Sequence, residues 1–279
     1  MSKKIIIIGF ISFVMAWMFF CLAVYLFPQA FFYNPSEERS VIDNAHNNDF
    51  PADEVYYSSS DGTRLYGWFV KPQQKDKVIV FFHGNSYNIE AFYHKLIPFI
   101  EVGYGAFIGE YRGFGGIKGT INQKNLANDA IAMVRYLNNL GYKNDDIILY
   151  GMSLGSFTSL NTAAELGQDM AFSSVILEVP FDSVLNVVKQ RIISLFPFDL
   201  IVRDKYDNTK LINKINSPIL IMGGSKDNVV PIERAKSLLT YANHPKKIII
   251  YSGAEHSSLY NYRNWQDILN WLERDEKVK

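Results

Sequence analysis

The chain has 279 residues in which 28 basic and 28 acidic side chains balance. That balance removes the basic face that a nucleic-acid partner calls for, and a single cysteine, Cys21, removes any disulfide within the chain. Aromatic residues make up 15% of the sequence, enough for a well-filled core or an apolar substrate cleft.

Residues 5–27 are an uninterrupted apolar run behind Lys3 and Lys4. As a helix they reach about 34 Å, enough to cross a hydrocarbon core with some tilt. A cleaved signal peptide has an apolar stretch of about 7–15 residues and a small-x-small site after it. This run is longer and no Ala-x-Ala follows, so residues 1–30 read as a retained single-pass anchor. Lys3 and Lys4 predict a cytoplasmic N-terminus. The rest of the chain is then extracytoplasmic, in the periplasm if the host is Gram-negative. Cys21 lies in the apolar run, where no thiolate would be stable, and Phe19 and Phe20 stand where a lipoprotein signal needs small residues.

Residues 31–50 read as a polar, irregular linker, and residues 51–279 as one α/β domain. Within it, 55–58 and 65–70 alternate around Asp61-Gly62, a hairpin signal. The apolar run 78–82 suits a strand buried on both faces and ends at His83-Gly84-Asn85. Residues 88–100 read as a helix, 106–111 as a strand, 112–119 as a Gly-rich turn and 126–140 as a helix. Strands follow at 147–150, 174–179, 219–223 and 247–251, with helices at 156–166, 231–241 and 265–272. Alternating strands and helices predict a mostly parallel, doubly wound α/β sheet with right-handed crossovers.

Gly151-Met152-Ser153-Leu154-Gly155 fits G-x-S-x-G between a strand and a helix, the context of a nucleophile elbow. Small neighbours allow the sharp turn, and the helix N-terminus favours a developing oxyanion. A serine hydroxyl needs a base, and the base a carboxylate to hold it. In such folds the order along the chain is Ser, acid, His. Of the histidines after Ser153, His256 follows the last strand at the same sheet edge, whereas His244 precedes that strand at the opposite edge. Asp227, just beyond the strand at 219–223, is the candidate acid, with Asp182 and Glu178 as rivals. The oxyanion donors are expected to be the backbone N–H groups of Leu154 and Asn85, with Ser86 as the alternative to Asn85. His83 reads as a loop brace, and Gly113-Phe114-Gly115-Gly116, which lacks the Lys-Ser/Thr of a phosphate loop, as a tight turn. No cluster has metal-ligand spacing, and no cofactor is expected.

With these residues in place, the chain resembles the α/β-hydrolase superfamily over about residues 50–275. The likeness rests on Phe82-His83-Gly84-Asn85, Glu110-Tyr111-Arg112-Gly113-Phe114-Gly115, the Ser153 motif, Pro180-Phe181-Asp182-Ser183, Asp227 with Val230-Pro231, and Glu255-His256. Within the superfamily it looks like the membrane-anchored single-domain serine hydrolases that include the eukaryotic protein depalmitoylases and their bacterial relatives. The resemblance implies cofactor-free hydrolysis of small-molecule acyl esters or thioesters. The cysteine-rich segment of the depalmitoylases is replaced here by a membrane-spanning run, which argues against cytosolic depalmitoylation. Residues 184–214 are short for a full lid, and Phe181, Leu195, Phe196 and Phe198 are candidates for an acyl-binding wall, for core or for a membrane-facing patch. Acyl transfer by the same triad and a non-catalytic, membrane-tethered binding role are the competing functions.

Overall fold

The computed structural model describes residues 3–42, 50–191, 196–243 and 245–276. Eight strands form the central sheet: β1 (Asp53–Ser58), β2 (Arg64–Val70), β3 (Val78–Phe82), β4 (Gly105–Gly109), β5 (Ile147–Met152), β6 (Ser174–Glu178), β7 (Ile219–Gly224) and β8 (Lys246–Tyr251). Their order across the sheet is β1-β2-β4-β3-β5-β6-β7-β8. The β1–β2 hairpin and the β2–β4 pair are antiparallel, and every pairing from β4 to β8 is parallel. The order reverses around β3, so the loops after β3 and β5 diverge and leave a crevice at the carboxyl edge.

The sheet is covered on both faces, and the pleat assigns residues to each. Along β3, Val78, Val80 and Phe82 enter one core, while Ile79 and Phe81 enter the other. All five are fully buried, which is why the segment reads as a continuous apolar run rather than an alternation. The first core is closed by α2 (Gln123–Asn139), α3 (Gly155–Leu166) and α5 (Ile232–Tyr241), and the second by α6 (Asn264–Glu276) together with the turns at 89–100. In α2, Leu126, Ala130, Met133 and Leu137 form one buried stripe at helical spacing. The Asn122 side chain caps that helix by accepting from the Asn125 N–H at 2.8 Å.

Residues 88–100 depart from the expected single helix. They form two 3₁₀ turns, Ile89–Ala91 and Tyr93–Leu96, and one α-turn, Ile97–Ile100. Pro98 cannot donate the bond a continuous helix would need from that position, and it sits in the first turn of Ile97–Ile100, where a missing N–H is tolerated.

Helix α1 (Lys3–Leu26) has 24 residues and is long and apolar enough to cross a membrane. Only Cys21 and Val24 on it are buried, packed against Phe198, Ile201 and Val202 of the segment after α4 (Val184–Arg191). The stretch read as a linker begins differently from expectation. Of its described residues, 31–42 and 50, the first stretch is stitched onto the domain: Asn34–Pro35 pairs in parallel with Ser86–Tyr87. Tyr33 is buried and its hydroxyl hydrogen-bonds that of Tyr206. The Ser36 carbonyl accepts from the Gly115 N–H at 2.8 Å.

Candidate active site

Ser153 stands between β5 and α3 with φ +54°, a left-handed conformation rarely adopted by a residue with a side chain. The turn holds because its surroundings over-determine it. The Ser153 N–H donates to the Glu178 carbonyl at 2.9 Å, and the Ser153 carbonyl accepts from the Ser156 N–H at 2.9 Å. A Cβ on Gly155 would lie 1.9 Å from the Phe82 carbonyl oxygen, and one on Gly151 would lie 2.2 Å from that of Gly155. The two glycines of the motif are therefore required by the approach of backbone to backbone.

The loops after β5, β7 and β8 converge. Ser153 Oγ lies 3.0 Å from His256 Nε2, and His256 Nδ1 lies 2.7 Å from Asp227 Oδ2. The carboxylate is acceptor-only, so the imidazole proton belongs on Nδ1, which leaves Nε2 to accept from the serine hydroxyl. The other oxygen of Asp227 accepts from the N–H groups of Val229 and Val230 at 2.8 and 2.7 Å. These bonds fix the carboxylate, whose side chain is 1% exposed. Such a relay can move a proton from the hydroxyl to the ring while charge develops on an attacked carbonyl.

The rival carboxylates are engaged elsewhere. Glu178 accepts from Lys95 at 2.8 Å, from Asn264 at 3.1 Å and from the Tyr150 hydroxyl, all buried. Asp182 accepts from Asn186 and Arg234, each at 3.1 Å. His244 lies outside the described residues. His83 is fully buried, with Nδ1 2.9 Å from the Gly84 carbonyl and Nε2 3.0 Å from Glu110 Oε1. It braces the loop that carries Asn85.

That loop faces the elbow. A Cβ on Gly84 would be 3.7 Å from the Cβ of Ser153, and Asn85, Ser153 and Leu154 line one cleft. The cleft, of about 300 Å³, is walled by Phe181, Val184, Val187, Val188, Val229 and Val230. Its remaining wall comes from Pro28, Phe31, Phe32 and Tyr33, immediately after α1, and polar groups enter from Arg203, Asp204 and Tyr206. Burial holds the Asp204 carboxyl above its ordinary value and the phenols of Tyr33 and Tyr206 above theirs.

The N-terminal wall was not foreseen from sequence. The available signal was Phe31-Phe32-Tyr33, an aromatic cluster in a stretch otherwise turning polar. The same segment pins the Asn85 loop: the Asn85 side chain donates to the Phe32 carbonyl at 2.8 Å, and the Asn85 carbonyl accepts from the Asn34 N–H at 2.9 Å. Of the residues considered for an acyl wall, Phe181 lines the cleft, Phe196 and Phe198 pack toward α1, and Leu195 lies outside the described residues.

Comparison with known proteins places this geometry. Residues 116–277 match the prolyl oligopeptidase family, and residues 41–155 match the acetyl xylan esterase family. The chain is 29% identical over 275 residues to the uncharacterized protein YfhR of Escherichia coli (strain K12), covering 94% of this chain and 91% of that one. It is 26% identical over 236 residues to the uncharacterized membrane protein YNL320W of Saccharomyces cerevisiae, covering 83% and 82%. Among solved structures, the Pyrococcus furiosus esterase PF2001 superposes with a TM-score of 0.68 at 18% identity, covering 87% of this chain and 97% of that one. With the fold of an α/β-hydrolase and a family match over more than half its length, the chain belongs to the prolyl oligopeptidase family of α/β-hydrolases.

Proposed function

We propose that the protein is a serine hydrolase that cleaves carboxylic esters or thioesters of acyl substrates through an acyl-enzyme. The observation that carries this reading is the continuous contact from Ser153 through His256 to Asp227, at 3.0 and 2.7 Å. Ser153 Oγ attacks the substrate carbonyl and passes its proton to His256 Nε2. Asp227 holds the ring and stabilises the imidazolium. The N–H groups of Leu154 and Asn85 receive the oxyanion, helped by the N-terminus of α3. His256 then protonates the leaving alcohol or thiol, and a water molecule releases the acid by the same steps in reverse order.

An ester or thioester is favoured over a peptide by the cleft itself. Its wall is mostly aliphatic and aromatic, and about 300 Å³ suits a small acyl group rather than a folded chain. Apolar α1 is the membrane anchor in this reading, with the N-terminus cytoplasmic because of Lys3 and Lys4 and the catalytic domain on the far side. The test is labelling of the full-length protein with a fluorophosphonate, compared with Ser153→Ala. Labelling of the wild type alone is expected, whereas equal labelling of both would refute the assignment of the nucleophile.

A further inference from the structure

Resting on that hydrolytic reading, we infer that the substrate is a bilayer-resident amphiphile with a single acyl chain, and that the chain reaches Ser153 sideways from the leaflet at the carboxyl end of α1. The argument begins with depth. The Phe196 ring lies 6.2 Å from that of Trp17 and 5.1 Å from that of Phe20. At 1.5 Å per residue these partners sit roughly 9–14 Å back along the helix from Leu26. A 24-residue helix is about 36 Å long against a hydrocarbon core of about 30 Å. If α1 spans the bilayer, the contact with Phe196 lies within hydrocarbon, and the segment at 196–202 is dipped into the leaflet beside the anchor.

Exposure on this side matches an apolar solvent. Leu200 is 76% exposed, Phe27 65% and Phe31 47%, an arrangement that water penalises and lipid does not. Apolar side chains connect this rim to the cleft that holds the nucleophile. Phe32, Val184 and Val188 belong both to the cluster around Cys21 and Val24 and to the lining of the cleft that holds Ser153. An acyl chain leaving the leaflet along these side chains therefore exchanges hydrocarbon largely for hydrocarbon, with Arg203, Asp204 and Tyr206 as the polar members of the cleft. The volume of about 300 Å³ takes the carbonyl end of one chain, and the rest of that chain stays in the leaflet. Cleavage breaks the acyl C–O bond of the ester: the alcohol leaves with the proton carried by His256, and water completes release of the fatty acid.

The experiment uses the full-length protein in phosphatidylcholine nanodiscs and two probes, water-soluble p-nitrophenyl acetate and bilayer-dissolved p-nitrophenyl palmitate. Leu200 does not line the cleft, and Leu200→Glu places a charge at the submerged rim. We expect palmitate turnover to fall at least tenfold in this variant and acetate turnover to stay within twofold. Equal behaviour of the two esters would overturn the lateral route. A second measurement covers a variant that fails to fold: a fluorophore on Leu200→Cys in a Cys21→Ser background, with brominated lipid as quencher. Strong quenching supports immersion, and none overturns it. If Ser153→Ala removes acetate turnover while the wild type leaves palmitate untouched, only this inference fails. If the wild type cleaves neither ester, the hydrolytic reading fails and takes the inference with it.

Discussion

The backbone N–H of Asn34 donates to the carbonyl of Asn85 at 2.9 Å, so the chain leaving α1 is bonded to the loop expected to supply an oxyanion donor. Asn34→Pro deletes that N–H, while Tyr33 before it is already extended, with φ −130° and ψ 147°, as a residue preceding proline prefers. We expect kcat to fall about tenfold to a hundredfold with KM little changed, on the scale of a disturbed oxyanion donor. Asn34→Ala, which keeps the N–H, is expected to retain the wild-type rate. Steady-state kinetics of both variants on one ester check the pair.

Asp227 holds the His256 ring through a 2.7 Å bond and is itself held by two N–H groups. Asp227→Asn keeps the shape but presents an amide that can pair with the other imidazole tautomer. A loss of roughly 10⁴ in kcat is expected, with thermal unfolding nearly unchanged.

The elbow tolerates no side chain at Gly155, because the Cβ would meet the Phe82 carbonyl at 1.9 Å. Both sides of that contact are backbone and neither can rotate away. Gly155→Ala is expected to destabilise the domain by about 3 kcal/mol or more, at the upper end of overpacking costs. The check is chemical denaturation in detergent.

Lys95 and Glu178 form a buried pair at 2.8 Å beneath the turn that carries Ser153. Lys95→Met leaves a buried carboxylate without its cation and is expected to cost about 3–5 kcal/mol. Adding Glu178→Gln should recover part of that loss, and a double-mutant cycle measures the coupling.

Asp204 gives a pH signature. Burial holds its folded-state carboxyl above the ordinary value, so the native state binds the proton more tightly than the unfolded chain does. Its contribution to stability is fully present below the unfolded value of about 3.9 and is lost as pH rises through the folded value. Asp204→Asn is therefore expected to raise Tm at pH 7, with the gain shrinking toward zero by pH 3. Thermal melts of both proteins across that range decide it.

Much of the sheet was legible because its strands are buried on both faces. Runs such as Val78-Ile79-Val80-Phe81-Phe82 carry few alternative structures. The three candidate catalytic side chains were legible for a related reason: each follows a recognisable strand at the edge where parallel strands end. The pairing of Phe31, Phe32 and Tyr33 with the cleft was not, since no local pattern says which distant surface an aromatic cluster will cover. Nor were the breaks within 88–100, because the apolar spacing of Ile89, Phe92, Tyr93, Leu96 and Ile97 fits one helix as well as three short turns.

The contact between Ser153 and His256 closes a loop of 103 residues, with the proposed nucleophile made before the proposed base. During synthesis the serine emerges from the ribosome well before its imidazole partner. On the proposed assignment, a nascent chain that has already folded its early strands carries an unactivated alcohol, and hydrolysis awaits the loop after the final strand.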